Sequence, residues 1–115
     1  MADLLSTSDL PDNFEYPREF IRVVELGLTN IEPWWIIEGD RLRRRYLGLK
    51  KRYHGRSLVP FAIRQDNDDV ACWDAATGRV VIIHDFASSG FEQYAELPNF
   101  NAWLRLAIED FIDFE

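Results

Sequence analysis

Three apolar segments separated by two polar turns occupy residues 58–85, LVPFAIRQDNDDVACWDAATGRVVIIHD. Residues 58–63, 70–73 and 79–85 are rich in β-branched and aromatic side chains, which favour strands. The sequences between them carry the Asp, Asn and Gly residues typical of turns. Because such short links join antiparallel neighbours, the region predicts a β-meander whose third strand, apolar on both faces, is central.

Helical patterns lie on both sides of this meander. Pro17 suits the first turn of a helix, and apolar residues continue from it at helical spacing as far as Gly27. Beyond the meander, Asn99 is a good N-cap for a last helix. The apolar stripe of that helix is Phe100, Trp103, Leu104, Ala107, Ile108 and Phe111.

Two further segments complete the predicted strands. Residues 34–37 read Trp-Trp-Ile-Ile and predict a short strand, and residues 91–96 predict an edge strand. The fold class is therefore α+β, an antiparallel meander sheet of about four to five strands with the N-terminal and C-terminal helices packed on one face. Residues 1–13 are polar and aperiodic and predict a loose N-terminal arm, while residues 14–115 form a single domain.

Length and composition exclude several classes of protein. A chain of 115 residues with 47% hydrophobic residues predicts one domain with its own core. We expect no membrane association, because no apolar run approaches the roughly 18 residues that span a bilayer and no secretory signal is present. The single cysteine, Cys72, predicts a small buried side chain in a reducing, cytoplasmic setting. The net charge of -7 argues against general affinity for nucleic acid.

The charge is distributed unevenly along the chain. Eight of the 13 basic residues lie between Arg41 and Arg56 with no acidic residue among them. The segment predicts an amphipathic helix that Asp40 caps and that Gly48 bends or stops early. Its apolar face is Leu42, Tyr46, Leu49 and Tyr53. Its cations form a solvated face, contact an acidic protein or the chain's own acidic surface, or bind nucleic acid together with the two tyrosines.

Candidate catalytic and metal-binding residues are few. His84 and Asp85 end the third meander strand upstream of two serines, which are the residue types of a hydrolase, but no G-x-S-x-G elbow accompanies them. His54, His84 and Asp85 lack a metal-ligand spacing. Residues 66–69 lack the glycine and the distal glutamate of a calcium loop. We therefore predict no catalytic residue, no metal site and no cofactor.

Several short motifs occur in a fixed order along the chain. They are Pro17-x-x-Phe20-x-x-Val23, Pro33-Trp34, Leu58-Val59-Pro60-Phe61-Ala62, Cys72-Trp73-Asp74, Gly78-x-Val80-Val81, His84-Asp85 and Asn99-Phe100-x-x-Trp103-Leu104. Their order, over roughly residues 16–111, resembles the SUKH superfamily, which includes the yeast Smi/Knr cell-wall assembly regulator and many bacterial toxin-immunity proteins. The resemblance implies a non-enzymatic module that binds other proteins. Its bacterial members are similar to immunity proteins that neutralise a cognate toxin, often a nuclease or a nucleic-acid deaminase.

An acidic surface with an aromatic anchor suits such a role, because nuclease toxins carry basic clefts. Adjacent Trp34 and Trp35 point to opposite faces of a strand, so one of them is a candidate anchor. The predicted partner-binding residues are Trp34, Trp35, Asp66, Asp68, Asp69, Asp85, Glu92 and Glu96. We expect a protein partner, suspected to be a cognate toxin, no nucleic acid, no membrane, and a monomer or weak dimer. Two alternatives stay open: a regulatory scaffold that docks an acidic partner through residues 41–56, and a small hydrolase using His84 and Asp85.

Overall fold

A computed structural model describes residues 2–114 of the protein, and within this range it contains three helices and six strands. In chain order these are α1 (Arg18–Glu25), β1 (Asn30–Ile31), β2 (Trp34–Ile36), α2 (Gly39–Arg52), β3 (Leu58–Arg64), β4 (Asp69–Asp74), β5 (Arg79–His84), β6 (Gln93–Leu97) and α3 (Phe100–Asp113). The predicted α+β class is confirmed. None of the described helices is long and apolar enough to cross a bilayer.

The sheet is an antiparallel meander in which the spatial order of the strands is their order in the chain. It has six strands rather than four to five, since β1 adds a two-residue edge strand that pairs Ile31 with Trp34. The chain forms α2 between β2 and β3, yet these strands are still neighbours, with Trp35 opposite Ile63. The three meander strands predicted within residues 58–85 are β3, β4 and β5.

Both faces of the sheet are buried. In β5, Val80 and Ile82 belong to a larger core cluster that includes residues of α1 and α3. Val81 and Ile83 belong to a smaller cluster, which the C-terminal half of α2 covers through Leu49. The two terminal helices therefore share one face of the sheet, as predicted, and β5 is central because side chains on both of its faces are buried.

Aromatic rings form the centre of the larger cluster. The ring centroids of Phe61 and Trp73 lie 4.4 Å apart, and Phe20 of α1 meets Trp73 edge-on at 4.9 Å. Trp103 of α3 meets Phe61 at 4.9 Å. Such pairs contribute about 0.5–1.5 kcal/mol beyond the burial of their area. The rings thus fix α1 and α3 on the sheet.

The two longer helices begin differently from one another. Asn99 Oδ1 accepts a hydrogen bond from the Ala102 N–H at 2.9 Å, which confirms the predicted N-cap of α3. The predicted cap of α2 by Asp40 is wrong, because this helix begins at Gly39, after an extended Glu38. Asp40 lies inside the first turn instead, where its negative charge interacts favourably with the positive end of the helix dipole.

α2 continues through Gly48 to Arg52, so the expected early stop at the glycine is wrong. The apolar face of the helix is the predicted one. Leu42, Tyr46 and Leu49 are buried, and Tyr53 is buried directly after the helix. The basic side chains of the segment consequently lie around the other sides of α2.

The stripe of α3 that faces the core ends on a charged residue. Trp103 and Ala107 are buried, but Phe111, which the sequence placed on the same stripe, is 52% exposed. One helical turn after Ala107 comes Asp110, whose carboxylate accepts a hydrogen bond from Trp34 Nε1 at 2.9 Å. The helix is thus rotated slightly from the predicted orientation.

The N-terminal arm, expected to be loose, lies against the domain over residues 2–13. It contains no helix or strand, but Leu5 is buried. The carbonyl of Asp3 accepts the Gly39 N–H at 2.8 Å, and the hydroxyl of Tyr46 donates to the carbonyl of Asp9 at 2.7 Å. These contacts hold the arm beside the start and the middle of α2.

Candidate functional site

The structure divides the eight predicted partner-binding residues into two groups of four. One group reaches solvent: Asp66, Asp68 and Glu96 are exposed and Trp35 is partly exposed. The other group is buried: Trp34, Asp69, Asp85 and Glu92. Trp35, not Trp34, is therefore the candidate anchor. The four buried residues contact other parts of the protein instead of solvent.

Asp85 is the centre of an internal ion-pair cluster. Its side chain is fully buried, and its carboxylate accepts hydrogen bonds from Arg45 at 2.7 Å and from Arg52 at 2.6 and 2.8 Å. It also accepts the N–H of Phe86 at 2.8 Å. Burial raises the pKa of Asp85, but these hydrogen bonds outweigh burial and the pKa lies below its ordinary value. Asp85 thus holds α2 to the end of β5 and is not on a partner surface.

Glu92 forms a second internal ion pair. It is buried, and its carboxylate accepts a hydrogen bond from Arg56 at 2.8 Å. Arg56 also donates to Gln93 at 2.6 Å and lies 3.3 Å from Asp74. Burial raises the pKa of Glu92, but the hydrogen bond from Arg56 and those from backbone N–H groups, including that of Gly90 at 2.7 Å, outweigh burial and the pKa is lowered. Glu92 therefore anchors the chain after α2 and is not available to a partner.

Glu96 is exposed but lies away from the acidic turn. It is opposite Val81 in the sheet and pairs with Arg79 at 3.3 Å. Arg79 begins β5, whereas the turn between β3 and β4 lies beside the end of β5, where Asp69 is opposite His84. The predicted single surface does not include Glu96.

Side chains from several elements meet at the turn between β3 and β4. Trp35 Nε1 donates to Gln65 at 2.6 Å, and Arg64 pairs with Asp66 at 2.9 Å. Arg64 also lies 3.5 Å from Asp110 of α3. The hydrogen bond from Arg64 lowers the pKa of Asp66. We define the acidic turn surface as Trp35, Gln65, Asp66, Asp68, Tyr94 and Asp110.

Asp69 is buried beneath this surface and bonds to side chains that are exposed. The hydroxyl of Tyr94 donates to Asp69 Oδ2, and His84 Nδ1 lies 3.1 Å from Asp69 Oδ1. Burial, followed by the contact with Asp69, raises the pKa of Tyr94, so its hydroxyl stays protonated as the donor. Asp69 therefore positions two exposed rings instead of meeting a partner directly.

The side chains of His84 and Asp85, the two residues of the hydrolase alternative, bond to different partners. The imidazole of His84 bonds to Asp69, whereas the carboxylate of Asp85 bonds to Arg45 and Arg52. Asp85 therefore does not orient His84, whose carboxylate partner is Asp69, and the hydrolase alternative stays a prediction.

The remaining candidate metal ligands do not come together, and the single thiol is buried. His54 is exposed in the turn after α2, and Asp85 is engaged by arginines. Within residues 2–114, no group of three or more His, Cys, Asp and Glu side chains is placed to hold a metal ion. Cys72 is fully buried, as predicted, and burial raises the pKa of its thiol.

A groove with a volume of about 410 Å³ lies beside the basic face of α2. It is lined by four arginines and three apolar side chains, and we define this set as the arginine groove: Arg41, Arg44, Arg45, Arg52, Ile37, Ile63 and Phe86. The carboxylate of Asp85 pairs with both Arg45 and Arg52 from the interior. Arg41 and Arg44 are exposed.

Sequence reasoning missed Tyr94 and Asp110 as members of the acidic turn surface. A signal for Asp110 exists, because it falls one turn beyond Ala107 on a buried stripe, where a carboxylate requires a polar partner. Tyr94 was placed in an edge strand, but its partner Asp69 lies 25 positions earlier in the chain. No local pattern indicates that contact.

These features define an α+β protein with an acidic surface at one end of its sheet and a cationic groove beside α2. The chain matches no protein-family model, and neither the curated proteins nor the solved structures give a significant match. The SUKH resemblance stays a prediction that depends on the motifs and on the order of the elements.

Proposed function

We propose that this chain is a non-enzymatic protein-binding module of the SUKH type, an immunity protein that neutralises a cognate nuclease or deaminase toxin through the acidic turn surface. The proposal is supported by the ordered motifs of the sequence and by the α+β class of the fold. The net charge of -7 suits a partner with a basic cleft.

The single observation that carries the proposal is the preorganisation of the acidic turn surface. Asp66 and Asp68 are exposed, Trp35 is partly exposed, and Tyr94 is 58% exposed. Hydrogen bonds to Gln65 and to Asp69 hold the two aromatic rings in place. Fixed side chains lose little entropy on binding. Tyr and Trp are enriched among the residues that contribute most to interfaces.

The physical mechanism is occlusion of the toxin's cleft. Carboxylates attract the cations that hold nucleic acid, so the two proteins associate rapidly. The aromatic side chains then exclude water and slow dissociation. No bond is made or broken in this account, which makes the predicted absence of catalysis part of the proposal.

Co-expression with the toxin encoded beside the gene tests the proposal. Cells that carry the wild-type chain survive, and the toxin co-purifies with it. The variant Asp66→Asn/Asp68→Asn loses protection, whereas the matched variant Glu19→Gln/Glu25→Gln, on exposed positions of α1, keeps it. Death of cells that carry folded wild-type chain contradicts the proposal, as does hydrolysis of a nucleotide or ester that His84→Ala abolishes.

A second candidate is a regulatory scaffold that docks an acidic protein through residues 41–56. It is favoured by the exposure of Arg41 and Arg44 at the arginine groove. Arg43 is paired with Asp3 and Asp40, so neutralising it perturbs the fold as well. The informative variant for this candidate is therefore Arg41→Gln/Arg44→Gln.

A further inference from the structure

The arginine groove has more cationic donors than the protein uses. Arg45 gives one N–H group and Arg52 gives two to the carboxylate of Asp85. A guanidinium carries five such donors. Within residues 2–114, no carboxylate lies within ion-pair distance of Arg41 or Arg44, and Arg44 makes only a 3.4 Å contact with the carbonyl of Asp40. Four positive charges thus face one buried negative charge.

Phe86 is held at the groove in a strained backbone conformation. Its φ of 70° makes it the only non-glycine residue in residues 2–114 with a positive φ. The bond from its N–H to Asp85 maintains that conformation, and the guanidinium of Arg52 lies 4.1 Å from its ring centroid. The ring is nevertheless 64% exposed. Strain that presents an aromatic ring to solvent beside unpaired cations is typical of a ligand site.

We propose that the arginine groove binds the phosphate groups of a small phosphorylated molecule, with Arg41 and Arg44 as the principal ligands. This function is separate from the proposed binding of a toxin at the acidic turn surface. The planar fork of a guanidinium matches two phosphate oxygens at once.

Asp85 makes such a site possible. It fixes Arg45 and Arg52 from the interior, so these two guanidinium groups stay in place when the groove is empty and lose little freedom on binding. Arg41 and Arg44 then add mobile donors at the rim. Arg45 and Arg52 at the base of the groove, together with Arg41 and Arg44 at its rim, suit a compact anion with more than one negative charge.

The apolar lining favours a phosphorylated molecule with an organic part over an acidic protein. Ile37, Ile63 and Phe86 contribute to a groove whose volume, about 410 Å³, lies within the usual range of small-molecule sites. A planar ring can stack on the free face of Phe86 while its phosphates reach the arginines. An extended acidic peptide offers one carboxylate per side chain and no planar ring that could stack on Phe86.

Calorimetric titration of the full chain at 0.15 M salt tests the proposal with inorganic pyrophosphate, ADP, adenosine and a glutamate-rich peptide. Pyrophosphate and ADP bind saturably with one site per chain, and ADP binds at least threefold more tightly if its ring uses Phe86. The variant Arg41→Gln/Arg44→Gln weakens both at least tenfold. The matched variant Arg18→Gln/Arg105→Gln removes the same charge from exposed positions of α1 and α3 and changes binding less than twofold.

Three outcomes overturn the proposal. One is the absence of saturable binding of pyrophosphate and ADP at millimolar concentration. Another is equal weakening in the two variants, which indicates a response to net charge alone. The third is binding of the peptide without binding of either phosphate compound. Unfolding midpoints in urea, measured for each variant, confirm that the comparison is between folded proteins.

Discussion

Gly48 leaves the space that the guanidinium of Arg52 occupies. A Cβ atom at position 48 would lie 2.8 Å from Arg52 Nη2, closer than side-chain carbons approach their neighbours. The glycine costs helix stability at the middle of α2. In exchange, Arg52 folds back along the helix and reaches the buried carboxylate of Asp85. A residue that is unfavourable for the local element thus leaves room for the side chain of a tertiary ion pair.

We therefore expect the effect of Gly48→Ala on stability to depend on whether Arg52 is present. In Arg52→Ala it should stabilise the protein by about 1 kcal/mol, because alanine is the better helix former. In the wild type this gain should disappear, since the added methyl group displaces the guanidinium from Asp85. Urea unfolding of the four proteins of this cycle measures the coupling. The same cycle with Lys51→Ala, an exposed position, should show additive effects, and additivity with Arg52 would contradict the assignment.

Asp85→Asn should be the most damaging single change of a carboxylate. It removes the charge that compensates two arginines, and breaking a buried pair in this way costs about 3 kcal/mol. Asp68→Asn, a change of the same size at an exposed position, should alter the free energy of unfolding by less than about 0.5 kcal/mol. Urea midpoints at pH 7 compare the two variants. Equal midpoints would show that Asp85 does not stabilise the fold.

Acid should destabilise the protein through Asp85 and Glu92. The pKa values of both carboxyls are lower in the folded protein than their ordinary values, so the unfolded chain binds protons more readily. Their stabilisation is complete above the ordinary carboxyl pKa values of about 4 and is lost as the pH falls from there through the lowered folded values. Urea midpoints between pH 6 and pH 3 should decline less steeply for Asp85→Asn than for the wild type. Parallel declines would contradict the lowered pKa of Asp85.

The rotation of α3 predicts that loss of a charged side chain destabilises the protein more than loss of a neighbouring aromatic side chain. Asp110→Ala should cost about 1–2 kcal/mol, because it leaves the indole N–H of Trp34 without its partner. Phe111→Ala should cost less than about 1 kcal/mol, since half of that ring is already exposed. Thermal unfolding of the two variants decides between this orientation and the one expected from the sequence. A larger loss for Phe111→Ala would support the sequence-based stripe.

The meander was predictable because each of its strands is a local signal. The apolar runs in residues 58–63, 70–73 and 79–85 are separated by turn residues, and the chain folds back at each of them. Asn99 was predictable as a cap for the same reason, since a cap contacts a backbone N–H three residues away. β1 was missed, because two residues at a sheet edge carry no periodicity.

The destination of the basic segment was not predictable. Arg45 and Arg52 pair with Asp85, and Arg56 pairs with Glu92, over separations of 33 to 40 positions. Composition shows that the chain has enough carboxylates to pair with these arginines, but it does not show which carboxylates are buried in the fold. This is also why Asp85 and Glu92, both predicted for the acidic surface, proved to be internal partners of the basic segment.

The most direct measurement of the central claim is the rate of association with the toxin as a function of salt. If the acidic turn surface guides the encounter, Asp66→Asn/Asp68→Asn should lower the association rate constant about three- to tenfold at low ionic strength and reduce its salt dependence. Glu19→Gln/Glu25→Gln should leave both almost unchanged. An association rate that responds equally to the two pairs of substitutions, or to neither, contradicts the account.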